Sequence, residues 1–400
     1  MTRRWTALAG LLRERDCQAA LVYGAERAGT AVPWLTGWPV TREAALVVPP
    51  AEPAVLFVCY DNHVPNARAM APDVAVRAGG RSALAAAQEW IQGWPQRVKN
   101  LGVIGAVPAR AGAGLAAAAG NVTFLDGDYV RLRLVKSAEE VDWLRRGAAM
   151  SDDAVRALAG AVRPGMTEAE CCAILESGYI AAGGLTHIHY LGATAMAAPS
   201  LCVPAQWPSS RRLAAGDALS CEISASYHGY PGQVLRTFAI AADPVPRYRD
   251  LHGVADAAFD AMTARLAPGV TARELTEAAA DVILGAGYTI YDDLMHGYGG
   301  GYLPPVVSRA GLEARRAPDF TLAAGMTVVI QPNVITPDER AGVQTGELML
   351  VTESGCESLH DYPRGPRLGY TWGHGHGPAD LCDLRGAIPR PARGLPHLPR

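Results

Sequence analysis

Residues 163–184, RPGMTEAECCAILESGYIAAGG, can be laid over residues 267–288, APGVTARELTEAAADVILGAGY, and this overlay decides how most of the chain is read. Each segment opens on Pro-Gly. Each continues with a threonine, Thr167 or Thr271, and a glutamate three residues on, Glu170 or Glu274. Thr-x-x-Glu ahead of an apolar stripe is a capping box: the hydroxyl and the carboxylate satisfy backbone N–H groups that the first helical turn leaves free. Glycine near the far end suits a helix terminus. A strand pattern then follows each helix, AAGDALSCEISASY at 214–227 and AAGMTVVIQPNVI at 323–335. Two copies are too few for a solenoid. They predict one α+β domain built from two pseudo-two-fold halves, with a pocket on the concave side between them. Glu222 and Gln331 each fall six residues after a glycine, Gly216 and Gly325. That places two polar side chains on paired, otherwise apolar strands facing one cavity.

Outward from this duplication, residues 1–130 alternate short apolar runs (19–24, 44–50, 54–60, 101–106) with helical stretches such as 82–94. The alternation predicts an α/β domain with a largely parallel or mixed sheet. Ser137 and Glu140 form another capping box, and Val141, Leu144, Ala148, Val155, Leu158 and Val162 then repeat at helical spacing. Domains are therefore expected at 1–130 and 131–364, with a Pro/Gly-rich tail at 365–400 that is at most partly ordered. The tail carries His374 and His376 between glycines, with no third metal ligand nearby.

Hydrophobic content of 49% and charged content of 19% are those of a globular protein, and a net charge of -3 gives no reason to expect nucleic acid. No apolar run reaches the roughly 18 residues that a membrane helix needs. The opening MTRRWTALAGLLRERDCQ reads as an amphipathic helix and not as a signal peptide. Eight cysteines include no CxxC pair and mostly sit in apolar runs, so buried thiols in a reducing cytoplasm are expected.

The stretches LRLVKSAEEVDWLRRGAAMSDDAV, RPGMTEAE, GDALSCEISASYHGYPGQVLRTF, HGYGGGY, LAAGMTVVIQPN and GELMLVTESGCESLH, in this order over residues 131–363, resemble the creatinase/prolidase/aminopeptidase P superfamily with its pita-bread fold. The resemblance implies an α/β N-terminal domain, a duplicated α+β C-terminal domain, and a homodimer. It also implies two divalent ions held by two Asp, one His and two Glu. At those places this chain has Glu222, Gln233, Gly300 (in HGYGGG), Gln331 and Gly346. A neutral amide holds a dication far more weakly than a carboxylate, and glycine offers no side chain. An alternative register makes Glu222, His296 and Glu347 a single-metal site. The histidine that creatinase uses for proton transfer has no counterpart in PSLCVPAQ (199–206).

The expectation is a metal-independent, creatinase-like hydrolase or lyase for a C–N bond of a small amino-acid-like or guanidino substrate, with no cofactor. One alternative is a non-catalytic pita-bread protein that binds a peptide or small ligand. Another is an Xaa-Pro-type metallopeptidase with an atypical site. His296, Glu222 and Glu347 are the expected catalytic residues, with His296 as the proton carrier. Gln233, Gln331, Tyr298, Tyr302, His189 and Arg236 are expected around the substrate. Four of these carry a structural alternative. His296 could be a structural histidine tying a loop backbone. Glu222 could pair with Arg236, Glu347 could face away by strand alternation, and His187 and His189 could share one half-buried face. HGYGGGY at 296–302 lacks the strand-to-helix context of a dinucleotide loop, and its glycines are expected to leave space where a metal shell would sit.

Overall fold

The computed structural model describes residues 2–50 and 52–365, with the backbone of 367–369. The segment with His374 and His376 lies outside the described residues. The first part of the chain runs α1 (Thr2–Glu14), β1 (Ala19–Ala25), α2 (Ala31–Thr36), β2 (Glu43–Val48), β3 (Val55–Val58), α3 (Val64–Met70), β4 (Ala75–Ala78), α4 (Ala83–Gln92), β5 (Val98–Ile104), α5 (Gly112–Ala118), β6 (Ala119–Phe124) and α6 (Asp126–Leu132). Its six strands form a mixed sheet in the order β4-β3-β2-β1-β5-β6, antiparallel at β1/β2 and β2/β3 and parallel elsewhere. The apolar runs are continuous because both faces are covered. Along β1, Ala20 and Val22 enter one core with Leu8, Leu46 and Leu56, while Leu21 and Tyr23 enter another with Val47, Phe57 and Val103.

Helix α7 (Ala138–Ala161) begins at the predicted capping box: Ser137 Oγ accepts from the Glu140 N–H at 3.3 Å, and Glu140 Oε2 accepts from the Ser137 N–H at 2.8 Å. The other oxygen of Glu140 is also committed. It accepts from Trp34 Nε1 at 3.1 Å and Tyr230 Oη at 2.7 Å, and it pairs with Arg4 at 3.1 Å. One carboxylate thus starts a helix and clasps α1, α2 and the second sheet together.

That sheet follows α8 (Glu168–Ser177) with β7 (Leu185–Ala195), β8 (Asp217–Tyr227) and β9 (Tyr230–Ile240). After α9 (Pro246–Thr263) and α10 (Ala272–Ile283) come β10 (Thr289–Ile290), β11 (Met295–Tyr298), β12 (Tyr302–Val307), α11 (Arg309–Glu313), β13 (Thr327–Ile330), β14 (Val334–Ile335), β15 (Gly346–Val351), β16 (Cys356–Ser358) and β17 (Arg367–Gly369). The strand path is β12-β11-β13-β15-β9-β8-β7, with β16 on β15 and β17 on β9, and β10 pairs with β14 separately. Both capping boxes of the repeat are present, at Thr167/Glu170 and Thr271/Glu274. The half β7-β8-β9 meets the half β11-β13-β15 at the β9/β15 seam, where Leu235 opposes Gly346 and Val234 opposes Glu347.

Opposed residues of antiparallel strands share a face, so the register assigns sides. Ile223 and Val234 pack against α7 and α8 residues such as Val155 and Leu175. Met295 and Ile330 pack against α9 and α10. The other face carries Glu222, Ser224, Gln233, Val329, Gln331 and His296.

Candidate active site

Gln233 stands at the centre of this face. Its Nε2 donates to Glu222 Oε1 at 2.7 Å and to Gln331 Oε1 at 3.3 Å. Gln331 Nε2 donates in turn to the carbonyl of Asp293 at 3.0 Å. Strands from both halves of the duplication therefore converge in one chain of amides. All four side chains, Glu222, Gln233, Gln331 and His296, are buried. His296 Nδ1 donates to the carbonyl of Gly297 at 3.1 Å, which fixes the tautomer and leaves Nε2 as an acceptor. The Tyr302 ring stacks on the imidazole, centroids 3.8 Å apart, and Tyr298 meets it edge-on at 5.2 Å. Tyr302 is 47% exposed, so it forms the rim where solvent meets the site.

The electrostatics set acid and base apart. Burial raises the Glu222 carboxyl to about 8, with the charges of Asp292 and Asp293 adding to the shift. Burial and Asp292 raise Asp293 to about 6. Burial lowers His296 to about 4, against the Gly297 carbonyl and the Gln331 side chain, which favour its proton. At neutral pH the interior thus holds a protonated carboxyl and a neutral imidazole, beside an ionised Asp293. Asp292 and Asp293 were not picked out of the sequence. The signal was the acidic pair directly ahead of the strand that carries His296. Tyr190, opposite Glu222 on β7, and Ser224, 3.5 Å from the Tyr298 hydroxyl, also belong to this face and gave no sequence signal.

The sequence profile of metallopeptidase family M24 matches residues 142–353, more than half of the 400. The chain belongs to that family. A probable dipeptidase PepE of Mycobacterium tuberculosis is 31% identical over 254 residues, 62% of this chain and 64% of that protein. This match spans less than two thirds of that relative's length. The crystal structure of dipeptidase PepE from Mycobacterium ulcerans superimposes with a TM-score of 0.74 at 26% identity, covering 92% of this chain and 97% of that one. The prolidase from Pyrococcus horikoshii OT3 superimposes with a TM-score of 0.77 at 20% identity, covering 90% and 99%. The fold is therefore the pita-bread fold, as the family resemblance implied, with the two halves that the duplicated helix–strand unit led us to expect.

These relatives overturn the expectation of a metal-independent creatinase-like hydrolase or lyase, because they carry the names of dipeptidases and prolidases. The expectation rested on which metal ligands are missing, and a missing ligand says nothing about which bond is cleaved.

Within the M24 site, the ligand positions do not fit a pair of divalent cations. Glu222 is a carboxylate, but Gln233 places an NH2 donor between Glu222 and Gln331, where a cation would require acceptors. At Gly346 a Cβ would lie 2.7 Å from the Ile330 carbonyl and 2.9 Å from Gln331 Cα, so no side chain is admitted there. Among the described residues no group of three or more His, Cys, Asp or Glu is arranged to hold a metal ion. The three-residue alternative of Glu222, His296 and Glu347 goes with it, since Glu347 lies on the other face.

Glu347 pairs instead with Arg236 at 2.5 Å and accepts from the Ser358 hydroxyl at 2.6 Å. Arg236 spends its remaining donors on the carbonyls of Leu235, Gly346, Tyr362 and Pro363. Both residues sit with Val234 and Cys221, away from Glu222, so the proposed Glu222–Arg236 pair does not form. His189 opposes Ile223 on the α8 side and bonds the Tyr179 hydroxyl at 3.0 Å. A bulge between Thr186 and Ile188 breaks the alternation, so His187 and His189 do not share a face. His187 stands instead 6.0 Å from the Tyr298 ring.

The glycines leave no open shell. A Cβ on Gly299 would meet Lys136 Cε at 2.4 Å, and one on Gly300 would meet Arg133 Nη2 at 3.1 Å. Arg133 Nη2 donates to the carbonyls of Gly299 and Gly300 at 2.7 Å each, and its Nη1 to Thr30 Oγ1 at 2.9 Å. Gly300 thus faces Arg133, while His296 faces the amide chain.

Proposed function

We propose that this M24 protein is a peptidase-type hydrolase that cleaves the peptide bond of a small peptide. The observation that supports this reading is one acid and one base held at the two ends of an amide bridge, in a chain whose relatives are named dipeptidases. Glu222, protonated at neutral pH, donates a proton to the leaving amine. His296, neutral with a free Nε2, accepts the proton of the attacking water. Gln233 and Gln331 hydrogen-bond the substrate's amide groups, and Tyr298 and Tyr302 wall the imidazole. Each role follows from pKa values pushed apart by environment. We also propose a homodimer in the cytoplasm. The resemblance to the creatinase branch supports the first, and the seven cysteines among the described residues, all free thiols, agree with the second.

One observation favours a second reading, binding of a peptide without cleavage: the Gln233 bridge already satisfies Glu222 with a neutral donor. A panel of dipeptides, followed by release of free amino acid, separates the two. Hydrolysis that both His296→Ala and Glu222→Gln abolish supports the peptidase. Dipeptide binding without hydrolysis by the wild-type protein supports the binder, and hydrolysis untouched by either variant removes the roles assigned here.

A further inference from the structure

The ring stacked on His296 belongs to a hairpin that its own backbone holds poorly. Tyr302 opens β12, the outermost strand of the sheet, which pairs only with β11. A bulge between His296 and Gly297 interrupts that pairing, and Pro304 and Pro305 bring no N–H to it. The turn from Tyr298 to Tyr302 consists of Gly299, Gly300 and Gly301, with φ of 143°, 66° and 114°. Glycine has more conformational freedom to lose than any other residue, so this turn is costly to order. Inside it, the Gly299 N–H donates to the Gly301 carbonyl at 3.1 Å. The place of the Tyr302 ring, 3.8 Å from the imidazole, is therefore set largely from outside the hairpin.

We propose that Arg133 is the positioning residue for this stack: it ties the glycine turn to the first domain and so keeps Tyr302 on the His296 ring. Its Nη2 donates to the carbonyls of Gly299 and Gly300, 2.7 Å each, and its Nη1 donates to Thr30 Oγ1 at 2.9 Å. Thr30 shares a hydrogen bond of 2.8 Å with the Tyr129 hydroxyl, and the guanidinium lies 5.0 Å from the centre of the Tyr129 ring. Thr30 directly precedes α2, and Tyr129 lies in α6, so the anchor is made of first-domain elements. Arg133 is buried, and no carboxylate forms an ion pair with it among the described residues. Its charge strengthens bonds to carbonyls instead, and its rigid fork can hold two of them at once. For its effect on turnover the inference rests on His296 as the base; for the stack itself it does not.

The test is a double-mutant cycle on the full chain with two readouts. The first is the ring-proton resonance of His296 in histidine-labelled protein, identified by its loss in His296→Gln. A Tyr302 ring face-on to the imidazole shifts that resonance. Tyr302→Ala and Arg133→Met are each expected to move it in the same direction, and the double variant no further. The second is dipeptide hydrolysis. Arg133→Met is expected to lower kcat, more than it changes KM, by about 2–10-fold, as loss of the Tyr302 ring would. In the Tyr302→Ala background it should cost less than about twofold more, because the two act through one contact. A merely structural arginine would give losses that multiply. Multiplying losses, or an unmoved His296 resonance in folded Arg133→Met, overturn the proposal and leave the peptidase reading intact. Should Arg133→Met fail to fold, Thr30→Val removes only the Nη1 acceptor and is expected to move the resonance the same way; no movement there overturns the proposal too. If no dipeptide is hydrolysed but the resonance follows the cycle, Arg133 keeps its role and the peptidase reading falls.

Discussion

Glu140 and Glu222 are both buried glutamates, and their surroundings drive them in opposite directions. Glu140 feels the same burial, yet the Ser137 N–H, the Tyr230 hydroxyl, Arg4 and Trp34 hold its carboxyl below the ordinary 4.5. Glu222 has one amide donor and two neighbouring carboxylates, and its carboxyl rises to about 8. Burial alone therefore decides nothing; the count of donors and the sign of nearby charge decide. A carboxylate wired like Glu140 is spent on structure. One left like Glu222 keeps a proton to give, and that is the mark of a group held for chemistry.

The comparison breaks most visibly at the clasp. Glu140→Ala leaves Arg4 buried without its anion and removes a helix cap, and a loss of about 3–5 kcal/mol is expected. Denaturant unfolding measures it, and a loss below about 1 kcal/mol would mean that the clasp does not hold the two sheets together. Glu347→Ala is expected to destabilise on the same scale by stranding Arg236. Glu347→Gln, with the shape kept, should leave peptide turnover near wild type. A collapse of turnover with intact folding in that variant would return Glu347 to the catalytic set.

At the site, His296→Ala and Glu222→Gln are each expected to lower kcat by about 10²–10⁴-fold without a matching loss of stability. The pH profile sharpens this. Turnover requires neutral His296 and protonated Glu222, so it should be sustained between about 4 and about 8 and fall above about 8. An alkaline limb that persists in Glu222→Gln with residual activity would belong to another group.

Stability should show the same opposition. Glu140, with its lowered pKa, contributes stability that is present above about 4.5 and is lost as pH falls through its folded value. Glu222, with its raised pKa, contributes stability that is present below about 4.5 and is lost as pH rises toward about 8. The difference between wild type and Glu222→Gln should therefore grow in the variant's favour across that window, read by thermal melting at stepped pH. The smallest effect is expected at the rim. Tyr302→Ala removes the ring stacked on His296, worth about 0.5–1.5 kcal/mol, and should change turnover by about 2–10-fold. No change at all would make Tyr302 a bystander.

Much of the fold was legible because its signals are local. The capping boxes at Ser137, Thr167 and Thr271 lie within four residues of themselves, and the two helix–strand units repeat in plain sequence. That Glu222 and Gln331 hold equivalent places in the two halves was also readable from their equal distance to a glycine. That their strands are not neighbours, and that Gln233 bridges the two side chains, was not. What failed depended on which way a strand faces. Glu347 and His189 sit one residue out of phase with the site, and a bulge at His187 undoes an alternation that looks regular in the letters. Asp292 and Asp293 look like an ordinary loop pair until the strand that follows them is seen to carry His296 into the site.

The sequence by itself determined the duplication, the family and the set of polar residues available to the cleft, because capping, periodicity and motif order are properties of neighbours along the chain. Only the tertiary structure decided that Arg236 neutralises Glu347 and not Glu222, and that Arg133 and Lys136 fill the space beside the glycines. The physical reason is that a buried charge is defined by what packs against it from distant segments. In this protein those segments are brought together at the seam between two strands, β9 and β15.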